Sequence, residues 1–239
     1  MAKDFPFVGP PEGGVVFRVA QDFDVFAPRD WSWAQPDGTF KNRFDDPGAY
    51  RGIPQEERFR VIYCATKPAG AFGETTAHFR KSTATLAGLE EIEDDEEPLD
   101  PELKGGVVPE EWRLKRHLGS TRLDDNLIFA DFTDGHTLTI LREELAGWLE
   151  RFGLEDFDLS IVTSSKQRRV TQEAARYVYE LAGPTSMTLA GIRYMSRLNP
   201  GWELWALFAD RAIHEPNEVL GTIRQDDPGL AEAAEVLGL

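Results

Sequence analysis

The stretch GIRYMSRLNPGWELWALF, residues 191–208, decides the fold. It ends in Trp202, Leu204, Trp205, Leu207 and Phe208, an apolar run suited to a strand driven through a core. Just upstream, Tyr194-Met195-Ser196-Arg197 sets a hydroxyl and a cation beside a segment that needs neither. Ser196-Arg197 is therefore either a polar turn or part of a site.

Working outward, strands over 188–194 and 203–208 close the fold, and residues 15–19, 59–65 and 127–132 read as earlier strands. A helix over about 68–80 begins at Pro68, where the missing N–H costs nothing, with Thr66 as its candidate cap. Ala69, Phe72, Thr76 and Phe79 form its inward stripe, and Glu74 leaves that stripe. A second helix, over about 136–152, carries Leu138, Leu141, Leu145, Trp148, Leu149 and Phe152 at helical spacing. In a third, over about 166–182, Val170, Ala174, Val178 and Leu181 face inward. Gln167, Arg168, Arg169, Gln172, Glu173 and Arg176 lie mainly on its other side. A short helix is expected over 228–236. The fold class is α+β, with a mostly antiparallel or mixed sheet and flanking helices.

Two segments break the periodicity. Residues 21–57 are rich in Pro, Gly, Asp and aromatics, and irregular stretches of that length inside a compact domain are often functional. Residues 81–120 hold the breakers Pro98, Pro101, Gly105, Gly106 and Pro109 and too few apolar residues for a core, so they read as an insertion. Within them EEIEDDEEPLDPE, residues 90–102, carries nine acidic side chains. That run is either a solvated loop or a docking arm for a basic partner.

A net charge of -16 argues against direct nucleic-acid binding, which depends on clustered Lys and Arg. No run approaches the roughly 18 apolar residues of a membrane helix, and the N-terminus has no signal-peptide pattern. With Cys64 as the single cysteine, the expectation is a cytoplasmic protein without an internal disulfide. His78, His117, His136 and His214 lack metal-site spacing, so no metal is expected. Dinucleotide, P-loop and nucleophile-elbow signatures are absent.

Four places then remain where a reactive group occupies a position that can present it. These are Asn42–Gly48 in the irregular segment, Tyr63 at a strand end, Glu74 on the first helix, and Ser196-Arg197. Each has a plain structural reading. Arg43 can pair with Asp45 or Asp46, Tyr63 can be core, Glu74 can pair with His78 one turn on, and Ser196 can be a turn residue.

Their order along the chain resembles the RES domain family. The match lies in Arg43-Phe44-Asp45 before a Pro–Gly turn, Ile62-Tyr63-Cys64-Ala65, Ala71-Phe72-Gly73-Glu74-Thr75, and Gly191-Ile192-Arg193-Tyr194 followed by Ser196-Arg197 and the apolar strand. Arg169-x-Thr171-Gln172 resembles the stretch preceding the family's final strands. The resemblance spans about 14–210, with 211–239 as an extension packing on the same domain.

It implies an ADP-ribosyltransferase-like fold that takes NAD⁺ as substrate, with no separate cofactor, and splits the nicotinamide–ribose bond. It further implies a toxin restrained by an antitoxin of helix-turn-helix type, and it is compatible with a homodimer. Transfer of ADP-ribose to a protein is the alternative enzymatic reading; a catalytically silent module binding a nucleotide or partner is the non-enzymatic one. Under the enzymatic reading Arg43 grips a phosphate, Tyr63 orients nicotinamide or ribose, and Glu74 stabilises an oxocarbenium-like transition state. Ser196 is a small donor to substrate. Arg51 is a second candidate for the phosphate role, and Arg197 joins the substrate-binding candidates.

Overall fold

The computed structural model describes residues 5–83, 106–181, 188–212 and 214–239; the acidic run 90–102 lies outside them. Eight strands form one sheet: β1 (Phe7–Val8), β2 (Val15–Ala20), β3 (Val61–Ala65), β4 (His117–Arg122), β5 (Phe129–Asp131), β6 (Gly191–Met195), β7 (Glu203–Phe208) and β8 (Glu218–Thr222). Their spatial order is β1-β5-β6-β7-β3-β2-β4-β8. Every neighbouring pair is antiparallel except β5 and β6.

The opening stretch behaves as its composition requires. On β7, Leu204, Ala206 and Phe208 enter one apolar cluster, while Trp205 and Leu207 enter the cluster on the opposite face. A strand with core on both sides has no place for alternating polar residues. Gly191 opens β6 because a Cβ there would collide with the Ala206 carbonyl.

The sheet is not uniformly knitted. β3 pairs with β7 at five positions and β2 with β4 at six, yet β2 and β3 meet only at Phe17↔Ala65. Two half-sheets are therefore joined through a single paired position.

Among the described helices are α1 (Gly48–Arg51), α2 (Pro68–Thr76), α3 (Glu110–Leu114), α4 (Gly135–Glu144), α5 (Ala146–Arg151), α6 (Leu159–Thr163), α7 (Arg168–Glu180) and α8 (Pro228–Leu237). α2 lies over the β2–β3 junction, packed against β2, β3 and α8. Ala69, Phe72 and Thr76 are buried and Glu74 is only half-buried, as the helical stripe requires. Thr66 does not cap it. Lys67 holds the cap position without a side-chain bond, and the Thr66 hydroxyl instead joins Glu203 and the Trp205 indole N–H.

Two other expectations change. The insertion does not extend to residue 120. Trp112 on α3 is buried against Phe79, and β4 is an internal strand between β2 and β8, so the chain has rejoined the core by then. The long helix over 136–152 is two helices, α4 and α5, divided at Leu145. On α7 Gln172, Glu173 and Arg176, placed opposite the inward apolar stripe, are buried as well, together with Thr171, because they face the irregular segment. No described helix is long and apolar enough to cross a membrane.

Gly73 sets the height of α2. A Cβ at this position would collide with the six-membered ring of Trp202, itself buried at the entrance to β7. Gly73→Ala gains about 1 kcal/mol of helix propensity but loses about 1–3 kcal/mol to overpacking, so a net fall in thermal midpoint is expected. Thermal melts of Gly73→Ala with and without Trp202→Leu check this, since removing the indole should relieve the clash.

Candidate functional site

The irregular segment forms a wall of the site because side chains tie down its backbone. The Asp45 carboxylate accepts the N–H groups of Phe40 at 2.8 Å and Asn42 at 2.7 Å. Asp46 accepts from Gly48 N at 2.6 Å and Phe59 N at 3.0 Å, and receives Arg176 Nη1 at 2.9 Å. From α7, Thr171 Oγ1 donates to the Arg43 carbonyl at 2.6 Å and Gln172 Nε2 to the Asn42 carbonyl at 3.0 Å. From β3, the Tyr63 phenol oxygen accepts the Phe44 N–H at 3.0 Å. Phe44 is buried edge-on against Tyr194 and Phe132. Arg43 thus stands on a fixed main chain.

At the centre is Glu74. Ser196 Oγ donates to Glu74 Oε1 at 2.6 Å, and Arg43 Nη2 lies 3.7 Å from Glu74 Oε2. Arg43 is itself held: Nη1 reaches the carbonyls of Val162 (3.1 Å) and Thr163 (3.4 Å) at the end of α6, and its guanidinium sits 4.9 Å from the Tyr194 ring centroid. Neither aspartate near it takes it as a partner among the described residues; Asp45 accepts backbone N–H groups and the Asn42 side-chain amide, and Asp46 accepts backbone N–H groups and Arg176.

Ser196 resolves the opening alternative by being both. Its N–H bonds to the Trp202 carbonyl at 3.0 Å and its hydroxyl accepts the Leu198 N–H at 3.0 Å, shaping the turn between β6 and β7. A hydroxyl has one proton and two lone pairs, so it can do this and still donate to Glu74. That proton is the only one it has. In this structure that proton is directed at Glu74 Oε1, so the hydroxyl orients the carboxylate.

Arg43, Tyr63, Glu74 and Tyr194 line a pocket of about 400 Å³, within the range of small-molecule sites, where β2 and β3 part; Ser196 is buried outside the lining and reaches the pocket through Glu74. Around it are five cations, Arg18, Lys41, Arg43, Arg168 and Arg197, and one carboxylate, Glu74. A chain of net charge -16 concentrates positive charge here, which suits an anionic ligand. Burial pushes the Tyr63 and Tyr194 phenols well above their ordinary range, so both stay protonated. Burial likewise raises the Cys64 thiol, which makes an inert wall.

Of the residues expected from sequence, the structure gathers Arg43, Tyr63, Glu74, Ser196 and Arg197. Arg51 stands apart from the pocket lining, with Nε 4.0 Å from Glu173 and Nη1 3.7 Å from Glu180. The sequence reading missed Tyr194, Arg18, Lys41 and Arg168 as pocket residues. Tyr194 lay inside the motif itself; alternation from Ile192 through Tyr194 to Ser196 puts all three on one face of a strand.

The family model described as RES domain matches residues 15–227, and the chain belongs to that family. The chain is similar to a chain in the crystal structure of the M. tuberculosis MbcT–MbcA toxin–antitoxin complex. The identity is 13%, the TM-score is 0.41, and the match covers 97% of this chain and 91% of the other. No curated protein matches the chain in sequence.

Glu173, on the α7 face toward the irregular segment, is 2% exposed. Burial, partly opposed by Arg51 and Arg169, raises its carboxyl above the ordinary 4.5. The folded chain therefore holds this proton more tightly than the unfolded one. Stability falls as pH rises from 4.5 through the folded value, and the ionised group opposes folding at neutral pH. Glu173→Gln is expected to melt above the parent at about pH 7, with the difference closing below about pH 4.5. Melts across that range check it.

Proposed function

We propose that this protein is an NAD⁺-degrading enzyme, cleaving the nicotinamide–ribose bond as the toxin of a toxin–antitoxin pair. Membership of the RES family supports the substrate class. The observation that carries the reading is Glu74, a carboxylate held between the Ser196 hydroxyl and the Arg43 guanidinium on the wall of a cationic pocket.

The chemistry suits these groups. When the ribose C1′–N bond breaks, its electron pair passes to the pyridinium nitrogen and nicotinamide leaves neutral, so the leaving group needs no acid. Positive charge develops on the ribose, and a preorganised anion beside it lowers the barrier. Glu74 supplies that anion. Ser196 and Arg43 keep it aimed, so no reorganisation is required as charge develops. The oxygen of water or phosphate then bonds to C1′ and its proton passes to Glu74 or to solvent. Tyr63 offers a flat face for the nicotinamide ring, Tyr194 backs Arg43, and the surrounding cations attract the diphosphate. A helix-turn-helix antitoxin partner follows from the same family reading.

Chromatography of NAD⁺ incubated with the purified protein, with and without phosphate, tests this. Nicotinamide release is expected, with ADP-ribose or its phosphorylated form naming the acceptor. Glu74→Gln should lower kcat by about 10²–10³-fold. Ser196→Ala should lose about 10- to 100-fold, mainly in kcat, with Ser196→Thr recovering part because it keeps the hydroxyl. Label left on protein would shift the reading to ADP-ribosyl transfer. No release and no label, from a folded parent free of antitoxin, would overturn it.

A further inference from the structure

Lys41 occupies a position its residue type disfavours. Among the described residues it is the non-glycine residue with positive φ, at 62°. A Cβ crowds the backbone in this left-handed region, and glycine enters it without that penalty. The surrounding bonds impose the conformation. Asp45 Oδ2 accepts the N–H of Phe40 and of Asn42, the residues on either side of Lys41, and the Asn42 carbonyl is held by Gln172. The Lys41 N–H itself reaches Thr39 Oγ1 at 3.3 Å.

Such strain persists where the side chain has a use, and its placement suggests one. The side chain is exposed and lines the pocket; among the described residues no ion pair or side-chain hydrogen bond engages its ammonium. Arg43, by contrast, is already committed to Val162, Thr163 and Glu74. A diphosphate entering this pocket therefore needs a different cation. Arg168 and Arg197 also line it, but at backbone positions any residue adopts. Only at Lys41 does the fold keep a long cationic side chain against a backbone preference.

We propose that Lys41 is a specificity-determining residue whose ammonium binds the diphosphate of the dinucleotide at the pocket rim, leaving Arg43 to hold Glu74. This rests on the reading of the pocket as a dinucleotide site.

The test compares the parent with Lys41→Gly, Lys41→Asn and Lys41→Arg in three measurements: thermal midpoint, steady-state kinetics on NAD⁺, and binding of inorganic pyrophosphate. Glycine and asparagine both accept the left-handed backbone, so these variants are expected to melt at or above the parent. They should nevertheless raise KM for NAD⁺ and the pyrophosphate Kd by about tenfold, with arginine restoring most of the loss. Unchanged KM and Kd in the two neutral variants would overturn the proposal, as would a parent that does not bind pyrophosphate. A parent that releases no nicotinamide but binds pyrophosphate in a Lys41-dependent way would overturn the dinucleotide chemistry and leave Lys41 as the anion-binding group.

Discussion

Arg176 and Asp46 meet inside the protein, Nη1 to Oδ2 at 2.9 Å, with side chains 10% and 1% exposed. The same carboxylate accepts two backbone N–H groups, so its lone pairs are well used and the charge is compensated. Removing either partner from such a pair costs roughly 3–5 kcal/mol, because the other is left buried and alone. That is a large part of the stability of an ordinary domain. The pair fastens a long segment with only short helical turns to a helix more than 100 residues further along the chain. Thr171 and Gln172, one turn earlier on α7, add hydrogen bonds to the Arg43 and Asn42 carbonyls. An otherwise loose stretch becomes a rigid wall carrying Lys41 and Arg43.

The second constraint is the gap between β2 and β3. Where two strands share a single bridge, the sheet opens and side chains from both rims face a common space. Tyr63 and Ala65 come from one rim, Arg18 and Val19 from the other, and α2 roofs the opening at a height fixed by Gly73 against Trp202. The hairpin turn at Ser196 then meets Glu74. Fold and site are joined at these two close contacts, each of which a single methyl group or hydroxyl decides.

Much of this architecture was legible because it is periodic. The double-sided core of β7, the stripe of α2, and the apolar rows of α4, α5 and α7 are local repeats that burial enforces. The errors have physical causes. β4, HLGSTR, has few of the β-branched and aromatic residues that mark strands, and its place in the sheet comes from pairing on both edges. α6 is five residues long, too short for a period to show, yet its last carbonyls anchor Arg43. The burial of the polar side of α7 was not legible, because a sequence cannot distinguish a water-facing Gln or Arg from one that satisfies a buried loop.

By itself, then, the sequence determined the α+β order of elements, the membership of a family, and four of the places from which the site is built. Periodicity, turn chemistry and residue order are properties of neighbours along the chain. Only the tertiary structure decided that Ser196 serves Glu74 and that Arg43 steadies the same carboxylate. It likewise decided that Arg51 faces Glu173 and Glu180, and that Tyr194 and Lys41 belong to the pocket. Those outcomes depend on side-chain directions across contacts between distant residues, and such directions exist only once helix, loop and sheet have docked together.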